Sequence, residues 1–309
     1  MKPRSVSYLL DEEGARIFGP GPLELLRCVE QTGSLSSAAR EMGMSYTKAM
    51  RIVHAAEKAL GVSLTERAIG GEGGGSSHLT DAGKAIIHSY ELWSAGVSVA
   101  SDRAFAASFA GCAGASRLGC VLMAAGRAER FGRQKLVEEL DGRLLVSRAL
   151  DALLVDRLDV VVVSPWETVA RICAARGVRC VEPAGPLHSD TVRAGLDALG
   201  ERAGYLFAVG DQPLLSRRSV EALLDAFAKR PEVPARLCFG ERVGNPVIFP
   251  AWMAPSLHSL EGDVGGGELL RRNPDLAAQT QLVQATSEAE LEDVDTVSDL
   301  ERIESNLGR

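Results

Sequence analysis

The chain has 309 residues, a formal net charge of −7 at pH 7, and 46% hydrophobic against 24% charged residues. This is the composition of an ordinary globular protein, and the length suits two domains. No apolar run approaches the ~20 residues of a membrane-spanning helix, so a membrane partner is not expected. There is no clear signal peptide and no CxxC pair among the scattered cysteines, which favours reduced thiols and a cytoplasmic location.

Two helix starts separated by a turn lie within residues 33–45. Ser34 is expected to cap the first helix, Gly43 to end it, and Ser45 to cap the next. The next helix places apolar residues on one face and polar residues elsewhere, namely Ala49, Ile52, Val53 and Ala56 against Thr47, Lys48, Arg51 and His54. This is the layout of a helix-turn-helix, whose second helix can enter the major groove of DNA. An αα-hairpin with a solvated cationic face is the alternative.

The segment that follows, ERAIGGEGGGSSHLT at residues 66–80, places five glycines between two short apolar patches. It predicts a two-stranded wing, because backbone that approaches phosphates closely favours glycine. Arg67 before the glycines and His78 after them weaken the alternative of a plain linker. The candidate DNA-binding residues are Ser45, Thr47, Lys48, Arg51, Arg67, Gly73 and Gly74.

These segments resemble the N-terminal winged helix-turn-helix of the molybdenum-dependent transcriptional regulators, which are related to LysR-type regulators. The resemblance covers about residues 17–95 and includes TGSLSSAAREMGMSY, the glycine-rich wing and LTDAG. It implies DNA binding and a homodimer formed through the helix after the wing. That helix carries a stripe of Ile86, Tyr90, Trp93, Val97 and Ala100. The alternative is that this stripe packs on its own domain.

A charge-poor stretch near residues 105–117 divides the chain. We expect a first domain at 1–105, a linker at 106–117 and a second domain at 118–309. In the second domain, strand candidates alternate with helix candidates: strands at 119–123, 160–164, 178–181, 205–209, 237–239 and 247–249, and helices at 145–154, 168–176, 189–199 and 219–229. This alternation predicts the α/β class, with a mainly parallel sheet covered by helices on both faces.

The first of these strands runs into a glycine loop and several cations, in the sequence VLMAAGRAERFGRQK at residues 121–135. A strand, a glycine loop and a helix together direct backbone N–H groups towards an anion. The GxGxxG and Walker patterns are absent. We expect Arg130 and Lys135 to neutralise triphosphate oxygens, and the nucleotide to lie against Leu122, Ala124, Ala125 and Gly126. A surface turn with solvated cations is the alternative.

The loop resembles the signature loop of the molybdenum-cofactor nucleotidyltransferases, and the resemblance runs from about residue 118 to the end. Four further elements match in order: GDQP at 210–213, GNPV at 244–247, GDVG at 262–265 and DVDT at 293–296. The resemblance implies a Rossmann-like nucleotidyltransferase domain. It assigns catalysis to Lys135, Asp211 and Arg130, metal binding to Asp211 and Asp295, and acceptor binding to Gly244, Asn245, Pro246 and Asp263.

Nucleotidyl transfer joins a substrate phosphate to the α-phosphate of a nucleoside triphosphate and expels pyrophosphate. It concentrates negative charge, so it needs cations and in-line positioning more than an acid or base. Mg²⁺ (or Mn²⁺) suits carboxylate and phosphate oxygens. In the resembled family an Ala-Ala-Gly loop goes with cytidylyl transfer, which implies CTP as co-substrate. The stretch HSDTVRAGL is similar to the methylerythritol-phosphate cytidylyltransferases, so the acceptor stays open.

The sequence thus predicts a cytoplasmic, homodimeric protein that binds DNA and transfers CMP from CTP to molybdopterin. Two alternatives remain. In one, a transcription factor uses a transferase-like domain only to sense a nucleotide or pterin. In the other, the second domain acts on another phosphorylated small molecule.

Overall fold

The computed structural model describes residues 3–68, 76–109, 117–126 and 131–307. The chain divides into two compact units, Met1–Asp102 and Arg103–Arg309, and each has its own apolar core. The expected domain and linker bounds stay a prediction. Part of the expected linker is helical up to Phe109, and residues 110–116 lie outside the described part of the chain.

The described residues of the first unit form two short strand pairs and four helices, the last of which continues past Asp102. Its strands are β1 (Leu9–Leu10), β2 (Arg16–Phe18), β3 (Thr65–Ala68) and β4 (Ser76–Leu79), and its helices are α1 (Pro20–Thr32), α2 (Leu35–Glu41), α3 (Tyr46–Leu60) and α4 (Asp81–Phe109). The Ser34 hydroxyl accepts a hydrogen bond from the Ser37 N–H at 3.4 Å, and Ser45 accepts one from the Lys48 N–H at 3.3 Å. Both expected helix caps are confirmed, and Gly43 turns the chain between them at φ 64°.

The core of the first unit is built on the apolar face of α3. Ala49, Val53 and Ala56 are buried together with residues of α1 and α2, and Ile52 packs at the edge of this cluster. A Cβ at Gly83 would collide with the Leu64 carbonyl oxygen. The first turn of helix α4 therefore packs closely against the backbone just before β3. The glycine of the LTDAG segment is therefore required by packing.

The second unit is a sheet between two layers of helices. Its strands are β5 (Leu118–Met123), β6 (Glu139–Leu140), β7 (Arg143–Leu144), β8 (Leu158–Val163), β9 (Arg179–Val181), β10 (Gly204–Val209), β11 (Ala235–Phe239), β12 (Arg242–Pro250) and β13 (Gln281–Gln284). Its helices are α5 (Leu145–Leu153), α6 (Glu167–Ala175), α7 (His188–Leu199), α8 (Arg217–Lys229), α9 (Ala254–His258), α10 (Gly267–Arg272), α11 (Pro274–Gln279) and α12 (Val297–Leu307).

Seven strands form the main sheet in the order β13-β11-β12-β10-β5-β8-β9. Only β12 runs antiparallel to its neighbours, β10 and β11. The predicted α/β class with a mainly parallel sheet is confirmed. One face packs against α5, α6 and α8, and the other against α7 and α9–α11. The carboxyl ends of β5, β8 and β10 meet at one edge, where open α/β sheets bind their ligands.

The buried carboxylate of Glu290 stabilises the second unit by accepting hydrogen bonds. Glu290 is 2% exposed and accepts hydrogen bonds from the N–H groups of Ser216 and Thr286, both at 3.0 Å, and from the Thr286 hydroxyl. Burial acts to raise its pKa, but these hydrogen bonds outweigh burial and the pKa is lowered. The carboxylate is therefore held in its charged form.

We expect Glu290→Ala to lower the free energy of unfolding by about 2–4 kcal/mol at pH 7, because buried donors would lose their acceptor. Since the pKa of Glu290 is lower in the folded state, its charge stabilises the fold above the unfolded value of about 4.3 and less as the pH falls below it. Denaturant titrations at pH 7 and pH 4 test the pH dependence by comparing the parent with Glu290→Gln.

The difference in unfolding free energy between the parent and Glu290→Gln should be smaller at pH 4 than at pH 7. An equal difference at both pH values would contradict the assignment. The exposed Glu221→Ala is the control for Glu290→Ala.

Candidate functional site

The loop after β5 leaves the sheet at its carboxyl edge. Leu122 is fully buried, and Ala124 is also buried, with its N–H donating to the Val163 carbonyl at 2.9 Å. The exposed part of the loop begins at Ala125 and Gly126. The side chain of Leu122 thus packs in the core, and the more accessible Ala125 and Gly126 stay the predicted nucleotide contacts. The predicted Arg130 lies outside the described residues.

Three residues far apart in sequence form a charged cluster at this edge. The Lys135 ammonium Nζ lies 2.7 Å from Asp211 Oδ2 and 3.0 Å from Asp295 Oδ1. Lys135 is only 6% exposed. Burial acts to lower its pKa, but the carboxylates of Asp211 and Asp295 outweigh burial and raise it, so the lysine stays charged. The structure therefore brings together the predicted lysine and both predicted metal ligands.

Backbone hydrogen bonds hold the three contributing segments together. The Gly210 N–H donates to the Met123 carbonyl at 2.9 Å, and the Val294 N–H donates to the Asp211 carbonyl at 2.9 Å. A Cβ at Gly210 would lie 3.4 Å from the Ala124 Cβ, so small residues at both positions allow the two strand ends to approach closely. This packing fixes Asp211 beside the loop after β5.

The cluster has an excess of negative charge. The side chain of Asp293 is partly exposed to solvent. Its pKa is nevertheless raised to about 6, because desolvation and the negative charges of Asp211 and Asp295 disfavour its charged form. Gln212 is buried, and its Oε1 has no hydrogen-bond partner among the described residues. Carboxylate and amide oxygens are hard ligands, so the donor set fits Mg²⁺, which commonly takes one or two protein carboxylates together with water and phosphate oxygens. In the part of the chain that the structure describes, no three His, Cys, Asp or Glu form a complete metal site.

The predicted acceptor segment lies in β12, the strand next to β10 in the main sheet. Asn245 is two residues before Val247, and Val247 pairs with Phe207 of β10, the strand that ends before Asp211. Gly244 precedes Asn245, and a Cβ there would lie 2.8 Å from the Leu291 side chain. Pro246 is buried. Of this segment, Gly244 and Asn245 are thus partly accessible.

Asp263, also predicted to contact the acceptor, pairs with His188. Its Oδ1 accepts from the His188 N–H at 3.2 Å and lies 2.7 Å from the His188 Nδ1, at the start of α7. The hydrogen bond from the His188 N–H, with the imidazole charge, lowers the pKa of Asp263. No described hydrogen bond or ion pair joins Asp263 to the Lys135 cluster.

Sequence reasoning missed three residues of this region. His188 pairs with Asp263, Gln212 is buried beside Asp211, and Arg236 of β11 donates from Nε to the Gly244 carbonyl at 2.8 Å. The signal available for Arg236 was an arginine inside the otherwise apolar strand ARLCF. His188 belongs to HSDTVRAGL and Gln212 to GDQP, and neither residue was assigned a role from the sequence.

The candidate DNA-binding residues of the first unit lie on α3 and the adjoining hairpin. Thr47, Lys48 and Arg51 are exposed, whereas Ser45 caps the start of α3. Strands β3 and β4 pair in antiparallel register from Thr65↔Leu79 to Ala68↔Ser76, which forms the predicted hairpin. Arg67 lies in β3, and Gly73 and Gly74 lie outside the described residues.

The apolar stripe of α4 is divided between two environments. Tyr90 is 4% exposed, packs edge-on against Phe18 at 5.2 Å between ring centroids, and donates its hydroxyl to the Ser7 carbonyl. Trp93 is 42% exposed, and Leu92 next to it is also exposed. The first half of the stripe thus packs on its own domain, and the dimer stays a prediction. None of the helices that the structure describes combines the length and apolar character needed to cross a membrane.

Comparison with protein families identifies the family of each unit. A family described as "MobA-like NTP transferase domain" matches residues 120–279, just over half of the chain. The chain belongs to this MobA-like family. A second family, "Bacterial regulatory helix-turn-helix protein, lysR family", matches residues 21–84. Both resemblances drawn from the sequence are confirmed, and the chain joins a helix-turn-helix domain to a MobA-like NTP transferase domain.

Curated relatives match one domain or the other. The Molybdenum-pterin-binding protein MopB of Rhodobacter capsulatus is 40% identical over 89 residues, which are 29% of this chain and 33% of MopB. The Transcriptional regulator ModE of Yersinia pestis is 38% identical over 25% of this chain and 30% of its own. The chain therefore spans about a third of the length of these relatives. The Purine catabolism protein PucB of Bacillus subtilis is 29% identical over 59% of this chain and 94% of its own.

A solved structure supports the fold of the MobA-like domain. A nucleotidyl transferase from Methanothermobacter thermautotroptrophicus superposes with a TM-score of 0.51 at 22% identity, over 62% of this chain and 98% of that chain. At this identity the likeness concerns the fold alone. It supports the α/β fold described above and carries no information on the site.

Proposed function

We propose that this protein is a cytoplasmic, homodimeric transcriptional regulator and a Mg²⁺-dependent nucleotidyltransferase that transfers CMP from CTP to molybdopterin. The observation that carries the enzymatic half is the cluster in which Lys135 lies 2.7 Å from Asp211 and 3.0 Å from Asp295. It stands at the strand ends beside the Ala124-Ala125-Gly126 loop. The exposed cations of α3, next to the β3–β4 hairpin, support the DNA-binding half.

The chain's own residues would bind and align the two phosphates. The backbone N–H groups of Ala125 and Gly126 would face the triphosphate, and the charged Lys135 would offset phosphate charge from within the cluster. Asp211 and Asp295 would hold Mg²⁺ or Mn²⁺. That ion would neutralise the triphosphate and stabilise the leaving pyrophosphate. Gly244 and Asn245, the acceptor residues that the resemblance implies, would align the acceptor phosphate, so positioning would supply most of the rate.

The loop composition predicts the nucleotide. Because Ala124-Ala125-Gly126 goes with cytidylyl transfer in the resembled family, we expect Mg²⁺-dependent binding of CTP to be tighter than that of GTP. Isothermal titration calorimetry with each nucleotide, with and without Mg²⁺, measures this. Equal affinities, or a preference for GTP, would contradict the assignment.

The acceptor is the least constrained part of the proposal. The resemblance to molybdenum-cofactor transferases supports molybdopterin. The name of MopB agrees with a molybdenum context, although the match covers only a third of that protein. A second candidate, transfer to another phosphorylated small molecule, is favoured by PucB, which is named for purine catabolism and matches over 94% of its length.

One assay separates these functions. Pure protein is incubated with Mg²⁺, each nucleoside triphosphate in turn, and molybdenum-loaded molybdopterin, and pyrophosphate release is followed. We expect release with CTP and molybdopterin together. Release only with other phosphorylated acceptors would favour the second candidate. Binding of CTP without any release would favour a transferase-like domain that only senses its ligands.

A further inference from the structure

Gln212 is a buried polar side chain to which the proposed reaction gives no part. It lies between Asp211 and the buried Pro213 in the turn after β10, and it is 2% exposed. Its side chain forms a hydrogen bond with the side chain of Asp293. Because an ionised carboxylate only accepts hydrogen bonds, the Gln212 Nε2 is the donor. The Gln212 Oε1 is buried, and no donor among the described residues pairs with it.

The unpaired oxygen indicates that Gln212 does not serve the stability of the fold. Burying an amide oxygen without a donor costs free energy on folding, and buried polar groups of folded proteins are nearly always paired. A leucine of similar size fills such a space without that cost. The partner Asp293 is partly exposed, so water replaces the donor there when the amide is lost. Folding alone therefore favours an apolar residue at position 212.

The hydrogen bond from Gln212 holds Asp293 beside the charged cluster. Asp293 lies close enough to Asp211 and Asp295 for their charges to act on its carboxyl group. Val294, the next residue in the chain, is fully buried and donates its N–H to the Asp211 carbonyl at 2.9 Å. The segment that carries Asp293 is thus attached to the turn after β10 at two points, through the backbone of Val294 and through the side chain of Gln212.

This attachment opposes a repulsion within the cluster. The like charges of Asp211 and Asp295 favour an Asp293 carboxylate that turns away from them into solvent. The buried amide of Gln212 has little freedom to follow such a movement, so the hydrogen bond keeps the carboxylate near its neighbours. A divalent cation then meets three carboxylates that are already gathered, and a site set before its ligand binds loses less conformational entropy on binding.

We propose that Gln212 is a positioning residue of the cation site, which holds Asp293 beside Asp211 and Asp295 so that all three carboxylates are available to Mg²⁺ or Mn²⁺. The inference rests on the proposed function, which assigns the ion to Asp211 and Asp295. It adds a third carboxylate and the amide that orients it. Outer groups of this kind orient the ligands of a metal site and tune its affinity.

The test measures Mn²⁺ binding to the full chain by electron paramagnetic resonance, together with thermal unfolding in metal-free buffer. Gln212→Leu should bind Mn²⁺ about 10- to 100-fold more weakly, the usual loss when an outer group of a metal site is removed. Its unfolding temperature should equal or exceed that of the parent, because the unpaired oxygen is gone. Gln284→Leu is the control and should bind Mn²⁺ like the parent, since the Gln284 Oε1 on β13 is already paired with the Gly240 N–H at 3.0 Å.

A double variant tests whether Gln212 acts through Asp293. Asp293→Ala should weaken Mn²⁺ binding at least as much as Gln212→Leu does. Adding Gln212→Leu to Asp293→Ala should then change the affinity by no more than about twofold, because no carboxylate is left to position. Losses that multiply in the double variant would show that the two residues act independently and would overturn the inference.

The two measurements on Gln212→Leu can also overturn it. If the parent binds Mn²⁺ and Gln212→Leu binds it equally well, only this inference fails, and the metal site of Asp211 and Asp295 stands. A lower unfolding temperature of Gln212→Leu in metal-free buffer would show that Gln212 supports the fold instead. A parent that binds no Mn²⁺ removes the proposed metal site and this inference together.

Discussion

Asp211→Asn is expected to reduce nucleotidyl transfer by about 10²–10³-fold, the usual loss when one well-placed charge-stabilising group is removed. Asp211 is the carboxylate closest to Lys135 Nζ, at 2.7 Å, and its backbone carbonyl anchors the segment that carries Asp295. The asparagine keeps the size of the side chain but not its charge, so the cluster would hold Mg²⁺ less well and leave Lys135 partly unpaired.

The measurement is the rate of pyrophosphate release at saturating CTP and acceptor, repeated over a Mg²⁺ titration. The loss should be partly reduced at high Mg²⁺ if Asp211 helps to hold the ion. Asp225→Asn is the matched control, because Asp225 lies on α8, is exposed and pairs only with Arg157 at the surface. Full activity of Asp211→Asn with Mg²⁺ would show that the assigned metal site is wrong.

Arg51→Glu is expected to abolish binding to operator DNA and to leave nucleotidyl transfer unchanged. Arg51 is exposed on α3, whose opposite face is buried through Ala49, Val53 and Ala56. A recognition helix reads bases through its exposed face, and each good contact contributes about 1–3 kcal/mol. Charge reversal removes that contact and adds repulsion with the phosphates. Transfer should persist because Arg51 belongs to a compact unit with its own core.

A mobility-shift titration on promoter fragments near molybdenum-uptake or cofactor genes measures this effect. The association constant of the parent for DNA should fall steeply as the salt concentration rises. Each phosphate neutralised should lower the logarithm of this constant by roughly 0.9 for a tenfold rise in salt. Arg171→Glu makes the same change in net charge on the exposed surface of α6 in the other unit and should bind DNA normally. Parent-like binding by Arg51→Glu, or no binding of any fragment by the parent at low salt, would contradict the regulatory half of the proposal.

Local pattern was enough for the main elements of both units. Serine caps at Ser34 and Ser45, apolar spacing in α3, and β-branched runs at β5, β8 and β10 each depend on neighbours within a few residues. The strands that the sequence missed are short or polar, as in QLVQ of β13. Strand β13 is stabilised by β11, a partner far along the chain that no local window contains. Strands β1 and β2, and β6 and β7, pair in local hairpins, but each is too short to show a periodic pattern.

The sequence by itself determined the two-domain order, the helix-turn-helix layout and the α/β class, because each is carried by residue types at fixed spacing. The five nucleotidyltransferase elements were recognised through the resemblance to a known family. Only the tertiary structure decided which of these residues meet. It joined Lys135 to Asp211 and Asp295, paired Asp263 with His188, and buried Leu122 in the core. It also set β12, which carries the GNPV segment, antiparallel between β10 and β11. Register is fixed by long-range packing of both sheet faces, and spacing along the chain does not encode it.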